Sequence, residues 1–198
     1  MADASPLLFA PSRAERMVMA QTTYWTVDMV QSIPPDGNRY EVVRGELLVT
    51  PAPTFGHQDL AGRLFVALRK YTEREPDIYV AMAPADVYYG EHSVVQPDLF
   101  AIPMVEARKG DWKTMHGQLL VIEVLSPSSV RGDMMTKRKL YQEEGVPLYW
   151  IVDGEHARVL EWTPEATTPV DRRDVLRWHP AGATTAFEMS IAELFAPI

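Results

Sequence analysis

One apolar stretch organises this sequence: Leu119-Leu120-Val121-Ile122-Glu123-Val124-Leu125, residues 119–125. A run of this length in which every residue but Glu123 is apolar predicts a β-strand that is buried on both faces. A helix is predicted from about Gly132 to Glu144, and a second apolar strand from Leu148 to Val152 follows it directly. A strand, a helix and a strand in such close succession predict a βαβ unit, whose two strands are parallel.

Further elements are predicted on both sides of this unit. A short helix capped by Thr26, the longest helix at residues 54–75 and a final short helix capped by Ser190 follow from apolar spacing and capping residues. The other predicted strands are residues 40–43, 46–50, 78–82, 85–89, 94–102, 157–162 and 175–178, the last two as edge strands. The pattern as a whole predicts an α/β fold.

Length and composition indicate a single domain. The chain has 198 residues, 46% of them apolar, which is enough for one sizeable core and too few for two ordinary domains. We therefore expect one domain over residues 22–198. Residues 1–21 show no sustained hydrophobic period, so we expect them to form a flexible N-terminal arm.

The absence of cysteine and of long apolar runs excludes several kinds of site and segment. The chain has no cysteine, which excludes disulfides, thiolate metal sites and a cysteine nucleophile and fits a reducing compartment. The chain has no basic start followed by a long apolar run, and no apolar run long enough to cross a membrane. A cytoplasmic protein without membrane partners is therefore expected.

The charge balance argues partly against a nucleic-acid partner. The chain carries 19 Lys and Arg residues against 27 Asp and Glu residues, a net charge of -8. Duplex DNA binding depends on neutralising phosphates with lysine and arginine, which this balance does not favour. A site built from carboxylates contributes negative charge that metal ions later offset, however, so a nuclease can be acidic overall.

Glu123 is the first candidate for a functional carboxylate, because it lies mid-strand among residues suited only to a core. Moving an unpaired carboxylate out of water costs several kcal/mol, so Glu123 needs a cation, a set of hydrogen bonds or a raised pKa. The alternative is that Glu123 lies at the open end of the strand and pairs with a surface lysine.

Asp98 is the second candidate. Pro97 removes a backbone donor just before it, which predicts a bulge or a strand end, and bulges often direct a side chain toward a site. If this strand and that of Glu123 are antiparallel neighbours, the two carboxylates can face each other, and Mg²⁺ would offset their repulsion. Alternatively, Asp98 simply stabilises a turn after Pro97.

Three polar residues of the following helix share one face, because Asp133, Lys137 and Tyr141 stand at i, i+4 and i+8. The ordinary interpretation is a helical ion pair between Asp133 and Lys137, worth a few tenths of a kcal/mol. A functional interpretation requires the helix to pack across the sheet, so that Lys137 reaches the carboxylates.

Several motifs occur together in one order and spacing. They are Tyr40-Glu41 with Gly45-Glu46-Leu47, Pro51 to His57, Gln96-Pro97-Asp98-Leu99, Glu123-Val124-Leu125-Ser126-Pro127-Ser128, Asp133 with Lys137 and Tyr141, and Gly145-Val146-Pro147 with Tyr149-Trp150-Ile151-Val152-Asp153. This combination closely resembles the Uma family of restriction-endonuclease-like proteins, which is assigned to the PD-(D/E)XK nuclease superfamily. The resemblance covers roughly Trp25 to Leu160. It implies a restriction-endonuclease-like core, a mixed central β-sheet flanked by helices.

The resemblance also implies an activity and a metal site. It suggests a nuclease that hydrolyses phosphodiester bonds of nucleic acid, DNA rather than RNA, with Mg²⁺ or Mn²⁺ as cofactor. Asp98 and Glu123 would bind the metal, with the carbonyl of Val124 as a third ligand. Glu41 and His57 match family positions near the site, although Glu41 could be an exposed hairpin residue and His57 could merely begin the long helix.

One departure from the superfamily pattern concerns the catalytic lysine, which normally stands two residues after the glutamate, where this chain has Leu125. The resemblance implies that Lys137 supplies the ammonium group from the helix instead. The alternative function, favoured by Leu125 and by the net charge, is a non-catalytic member of the same fold that binds nucleic acid or protein.

Two surfaces are predicted to contact partners. Arg131, Arg138 and Lys139 lie on or beside the same helix and could bind flanking backbone phosphates, although an ordinary solvated face would look the same. A homodimer would suit cleavage of both strands of a duplex and would use an exposed apolar edge near Val159 to Trp162.

Overall fold

A computed structural model describes residues 24–198 of the chain. The arm predicted for residues 1–21 lies outside the described residues, and the single domain over 22–198 stays a prediction. The helices are α1 (Val27–Gln31), α2 (Phe55–Thr72), α3 (Met104–Ala107), a 3₁₀ turn (Trp112–Thr114), a π-helix (Gly132–Lys137), α4 (Arg138–Glu143) and α5 (Ile191–Leu194). Among the described residues, no helix combines the length and the apolar character that crossing a membrane requires.

Twelve strands form three sheets within the described residues. The strands are β1 (Arg39–Val43), β2 (Glu46–Thr50), β3 (Ile78–Met82), β4 (Val87–Tyr88), β5 (Ser93–Val95), β6 (Leu99–Pro103), β7 (Leu120–Val124), β8 (Tyr149–Asp153), β9 (Arg158–Trp162), β10 (Val170–Arg172), β11 (Val175–Trp178) and β12 (Phe187–Ser190). The central sheet has the order β10-β9-β8-β7-β6-β3, a smaller sheet has the order β2-β1-β5-β4, and β11 pairs with β12.

The central sheet is mixed and flanked by helices, as predicted. Strands β7 and β8 are parallel, which confirms the βαβ unit, whereas β6 pairs antiparallel with β7 through Leu99 and Ile122. Helix α2 covers one face of the sheet, where its Leu64 and Leu68 belong to the same core as Ile122. The π-helix and α4 cover the other face, because Leu140 belongs to the core on that side. The side chains of β7 alternate between these two cores, as a strand buried on both faces requires.

The structure corrects three of the predicted elements. Residues 94–102 form two strands rather than one, because Pro97 lacks an N–H and the chain leaves the smaller sheet at Val95 and joins the central sheet at Leu99. Ser190 precedes α5, but its side chain forms no capping hydrogen bond.

The third correction concerns the predicted edge strand at residues 157–162. Strand β9 lies between β8 and β10, and Val159 to Trp162 are buried. These residues cannot supply the exposed apolar edge that the homodimer prediction invoked. The edges of the central sheet are β3 and β10 instead.

Glu75, three residues after the end of α2, forms hydrogen bonds with the loop before β12, and this contact depends on pH. Its carboxylate accepts four hydrogen bonds from the backbone and hydroxyl groups of Thr184 and Thr185, at 2.7–3.0 Å. The hydrogen bonds from Thr184 and then Thr185 lower the pKa of Glu75 to about 2. This carboxylate therefore stabilises the fold above its unfolded pKa, and the contribution disappears as the pH falls to about 2.

We expect Glu75→Gln to lower the free energy of unfolding at neutral pH, since an amide cannot accept all four hydrogen bonds. The deficit should shrink as the pH falls from about 4.5 to about 2, where the wild-type carboxylate itself becomes protonated. Urea unfolding of the variant and the wild type at several pH values measures this difference in unfolding free energy. The exposed neighbour Glu73, changed to Gln, is the matched control and should show no such pH dependence. An equal deficit at every pH would contradict the assignment.

Candidate functional site

Asp98 lies where the chain crosses from the smaller sheet to the central one, at the start of β6. Its carboxylate accepts three contacts at 2.8–3.0 Å: the Val124 N–H, the Nε2 of His57 and the Nη1 of Arg39. Because the N–H and C=O of one strand residue point to the same side, the Val124 carbonyl also faces the side on which Asp98 lies. The structure thus brings together Asp98, Val124 and His57, three of the residues predicted from the sequence.

Glu123 is the fourth of the five residues of β7, and its side chain points to the face covered by the π-helix and α4. It is 1% exposed, so the alternative of a solvated strand end is wrong. One oxygen, Oε1, accepts hydrogen bonds from Lys137 Nζ at 2.9 Å and from the Tyr141 hydroxyl at 3.1 Å. The helix therefore packs across the sheet as the functional interpretation required.

Lys137 is also buried, with 2% exposure, and it faces three carboxylates. Its Nζ lies 2.8 Å from Glu41, 2.9 Å from Glu123 and 3.5 Å from Asp133. The pair that the sequence predicts, Asp133 with Lys137, is the longest of the three. Leu125, on the same side of β7 as Glu123, packs against the apolar core, so the ammonium group reaches this face from the helix.

Glu41 and Arg39 bring strand β1 into the site. Glu41 Oε1 accepts the backbone N–H of Gln96 at 2.6 Å, whereas its buried Oε2 has no hydrogen-bond partner and lies 3.8 Å from Arg39 Nε. Glu41 is therefore not an exposed hairpin residue. Arg39 was not predicted as a site residue, although its i, i+2 spacing from Glu41 places both side chains on one face of β1.

The resulting carboxylate cluster has more negative than positive charge. It consists of Glu41, Asp98, Glu123 and Asp133 with the cations Lys137 and Arg39, and with His57 at its border. Four carboxylates thus face two permanent cations in a region where water is largely excluded. Such an excess has to be offset by protons or by a further cation.

The pKa shifts in the cluster follow from this imbalance. Burial raises the pKa of Glu123 well above its usual value. The charge of Lys137 acts to lower this pKa, whereas the charges of the other three carboxylates raise it further. Burial likewise raises the pKa of Asp133. Burial disfavours the charge on Lys137, but the three carboxylates around the ammonium group outweigh it and raise its pKa, so Lys137 stays protonated.

The pKa of Asp98 shifts in the opposite direction from those of Glu123 and Asp133. Burial acts to raise its pKa, but the hydrogen bond from His57, the charges of Arg39 and His57 and the Val124 N–H outweigh it and lower the pKa to about 2. Asp98 is therefore firmly ionised at neutral pH.

The carboxylate oxygens of the cluster are the kind of ligand that a hard divalent cation prefers. Among the described residues, no three His, Asp or Glu side chains stand together in a ready-made metal cage. Mg²⁺, however, is usually held by one or two carboxylates together with water and substrate oxygens. The excess of carboxylates and the unpartnered Glu41 Oε2 are the features that a cation would satisfy.

A cleft of about 810 Å³ opens beside Asp98, and Arg39, His57 and Gln96 also line it. Glu123 and Lys137 do not line this cleft and lie beneath its surface, each at most 2% exposed. Substrate in the cleft would therefore meet Asp98, Arg39 and His57 first.

The three residues predicted to bind phosphates differ in exposure and in internal contacts. Arg131 and Lys139 are exposed, Lys139 with 69% of its side chain accessible. Arg138 lies over the Trp162 ring, 4.7 Å from its centroid, and donates to Gln142 at 2.6 Å. Contact of Arg131 and Lys139 with nucleic acid stays a prediction, and Arg138 would have to leave internal contacts to make one.

Comparison with known proteins points in the same direction as the geometry. A family model described as "Uma2: Putative restriction endonuclease" matches residues 27–191. The crystal structure of a protein described as a putative nuclease belonging to DUF820, from Anabaena variabilis ATCC 29413, superimposes with a TM-score of 0.72. It is 20% identical and covers 87% of this chain and 98% of its own, which establishes the fold. No curated protein matches the chain.

Proposed function

This chain belongs to the Uma2 family of putative restriction endonucleases, and from that premise we propose that it is a divalent-metal-dependent nuclease acting on DNA in preference to RNA. One observation carries the proposal. Asp98 and Glu123, contributed by neighbouring antiparallel segments, and Lys137, contributed by the next helix, meet in one buried cluster at the base of an open cleft.

Asp98 and Glu123, with the Val124 carbonyl, would hold Mg²⁺ or Mn²⁺. When bound, such an ion supplies positive charge to the phosphate and lowers the pKa of a coordinated water, as in other metal-assisted phosphodiester hydrolysis. Arg39 and His57 each contact one oxygen of Asp98, so a metal ion held there would compete with these two side chains for the carboxylate.

Arg39 is suited to bind the phosphate that is cleaved. Its guanidinium lines the cleft, 20% of its side chain is exposed, and it already contacts Asp98 at 3.0 Å. A planar guanidinium matches two phosphate oxygens at once. His57, whose Nε2 contacts Asp98, is placed to hold or pass a proton at the same point.

Lys137 would act as a fixed charge rather than as a base. The carboxylates around it raise its pKa, so it does not release a proton near neutral pH. It keeps Glu123 and Glu41 aligned and adds a permanent positive charge behind the phosphate. This assigns to Lys137 the part that a lysine in place of Leu125 plays in the superfamily.

The test is cleavage of single-stranded and duplex DNA and of RNA by the purified chain with Mg²⁺ or Mn²⁺. We expect products with metal and none with EDTA, and we expect the metal to raise the melting temperature. Glu123→Gln should remove both effects, whereas Glu165→Gln, at an exposed position, should retain them.

Two outcomes would contradict the proposal. Failure of the wild type to cut any of these substrates would favour the non-catalytic alternative, in which the ion-pair cluster is structural. An unchanged metal-induced rise in melting temperature in Glu123→Gln would place metal binding outside the cluster.

A further inference from the structure

The cleft beside Asp98 has walls that differ from those of a phosphate-binding groove. Six prolines line it: Pro34, Pro35, Pro51, Pro53, Pro84 and Pro127. Of the described residues that line it, Arg39 is the one permanent cation. A surface that binds duplex DNA neutralises several phosphates with lysine and arginine, and this cleft is not built in that way.

The cleft instead suits a flat apolar group with a polar edge. Its volume of about 810 Å³ lies in the range typical of pockets for small organic groups. On one side stand Asp86 and Gln96, joined by a hydrogen bond of 2.7 Å from the Gln96 amide to the Asp86 carboxylate. The Tyr88 hydroxyl also donates to Asp86, at 3.3 Å, so the side-chain carbonyl of Gln96 and the remaining lone pairs of Asp86 are the acceptors that these two lining residues can still offer. Ring faces against apolar walls and ring edges against acceptors are the contacts by which proteins hold an unpaired base.

A second cleft, of about 740 Å³, continues on the other side of the site. Both clefts are lined by Thr54, His57, Ser126 and Pro127, so they meet next to the His57 contact with Asp98. The second cleft has its own cationic group, Arg158, at its wall. A strand whose phosphate lies at Asp98 would therefore have one neighbouring nucleotide on each side.

We propose that the proline-lined cleft takes an unpaired nucleobase next to the cleaved phosphodiester, and that the substrate is single-stranded or locally unpaired nucleic acid. This inference rests on the proposed function of the adjoining carboxylate cluster. A paired base inside a duplex cannot enter a cleft of this kind, because it would first have to leave its stack and its partner. The acidic charge of -8 fits the same substrate, since base contacts rather than many phosphate contacts would carry the affinity.

The test separates binding from cleavage. Binding in EDTA is followed by fluorescence anisotropy of a labelled DNA single strand, its RNA equivalent and the matching DNA duplex. We expect the single strands to bind about tenfold more tightly than the duplex, the effect of holding about one base. The double variant Asn38→Leu/Ala52→Leu, at two exposed positions of the cleft, should abolish that advantage without presenting a new aromatic surface.

The control is Ala181→Leu/Ala186→Leu, two exposed positions outside both clefts, which should bind as the wild type does. Melting temperatures identify a variant that fails to fold, in which case Ala52→Leu alone replaces the double variant. Equal affinity for single strand and duplex, or an unchanged advantage in the cleft variant, overturns the inference.

Cleavage with Mg²⁺ then shows which proposal fails, if either does. Tight single-strand binding that the cleft variant loses, without cleavage by the wild type, supports the base cleft and removes the nuclease assignment. Duplex cleavage as fast as single-strand cleavage supports the nuclease and removes the base cleft. Comparing the affinities of the DNA and RNA single strands shows whether binding in this cleft distinguishes deoxyribose from ribose.

Discussion

Asp98→Asn is expected to lower metal-dependent cleavage on the order of a thousandfold, because it removes the firmly ionised carboxylate that faces the cleft. Asparagine has nearly the same shape and can still accept the Val124 N–H through its carbonyl. The charge is lost, however, and with it the proposed metal ligand and the partner of Arg39. Cleavage rates at saturating Mg²⁺ measure the effect.

The stability of this variant should change in a predictable direction. The pKa of Asp98 is lowered to about 2, so the ionised side chain stabilises the fold above its unfolded pKa and ceases to do so as the pH falls to about 2. At neutral pH the loss should be about 2 kcal/mol, on the scale of 1.36 kcal/mol per pKa unit. Cleavage must therefore be measured at a temperature where the variant is folded.

A matched control separates loss of an ion pair from loss of the site. Asp171 lies on β10, the far edge of the same sheet, and its carboxylate pairs with Arg158 and Arg173. Asp171→Asn should leave cleavage within about twofold of the wild type, because the surface ion pairs it breaks contribute little. If Asp98→Asn cuts as well as this control, Asp98 is not a metal ligand.

Local sequence patterns predicted much of the fold because their causes are local. The run of apolar residues around Glu123 is typical of a buried strand, and the spacing to the next apolar run fits a helical crossover between parallel strands. The hairpin of β1 and β2 and the long helix α2 follow from alternation and helical periodicity in the same way. The cost of burying Glu123 likewise predicted that it would have a cation, a set of hydrogen bonds or a raised pKa, and the structure shows all three.

The parts of the site and fold that were not predicted from the sequence depend on contacts between segments that lie far apart in the chain. Arg39 meets Asp98 across 59 positions of the chain, and no local pattern reports such a contact. The strand break at Gln96 to Asp98 was indicated by Pro97, but the change of sheet depends on which strands pair with β5 and β6. The burial of β9 depends in the same way on β10, a strand of three residues that had not been predicted.

Lys137 has more carboxylate partners than its helical spacing from Asp133 suggested, and it lies at the end of a π-helix. A wider turn of this kind is rare and often occurs at functional sites. Here it spans Gly132–Lys137 and ends at the buried lysine, with Asp133 and Lys137 both buried against the sheet. The i, i+4 relation of these two residues was recognisable in the sequence, but the nearer partners Glu41 and Glu123 come from β1 and β7.

Lys137→Ala is accordingly expected to destabilise the fold by about 3–5 kcal/mol, the typical cost of removing one partner from a buried ionic group. An ordinary helical ion pair would predict well under about 1 kcal/mol. Lys139→Ala is the matched control, since Lys139 lies two positions further along, is exposed and reaches Glu143 at 3.9 Å. If both variants lose the same small amount of unfolding free energy, the ion pairs of Lys137 contribute no more than an exposed ion pair does, despite their burial.

The pH dependence of this loss makes the prediction sharper. Without the ammonium group, Glu41, Glu123 and Asp133 face one another in a buried site, and folding then favours their protonated forms. Carboxyl groups with folded pKa values above their unfolded values stabilise the fold at low pH and lose that contribution as the pH rises through the folded pKa. The deficit of Lys137→Ala should therefore be larger at about pH 8 than at about pH 5, whereas that of Lys139→Ala should hardly change. Urea unfolding of both variants at the two pH values decides the matter, and a deficit that grows toward low pH would show that Lys137 does not compensate these carboxylates.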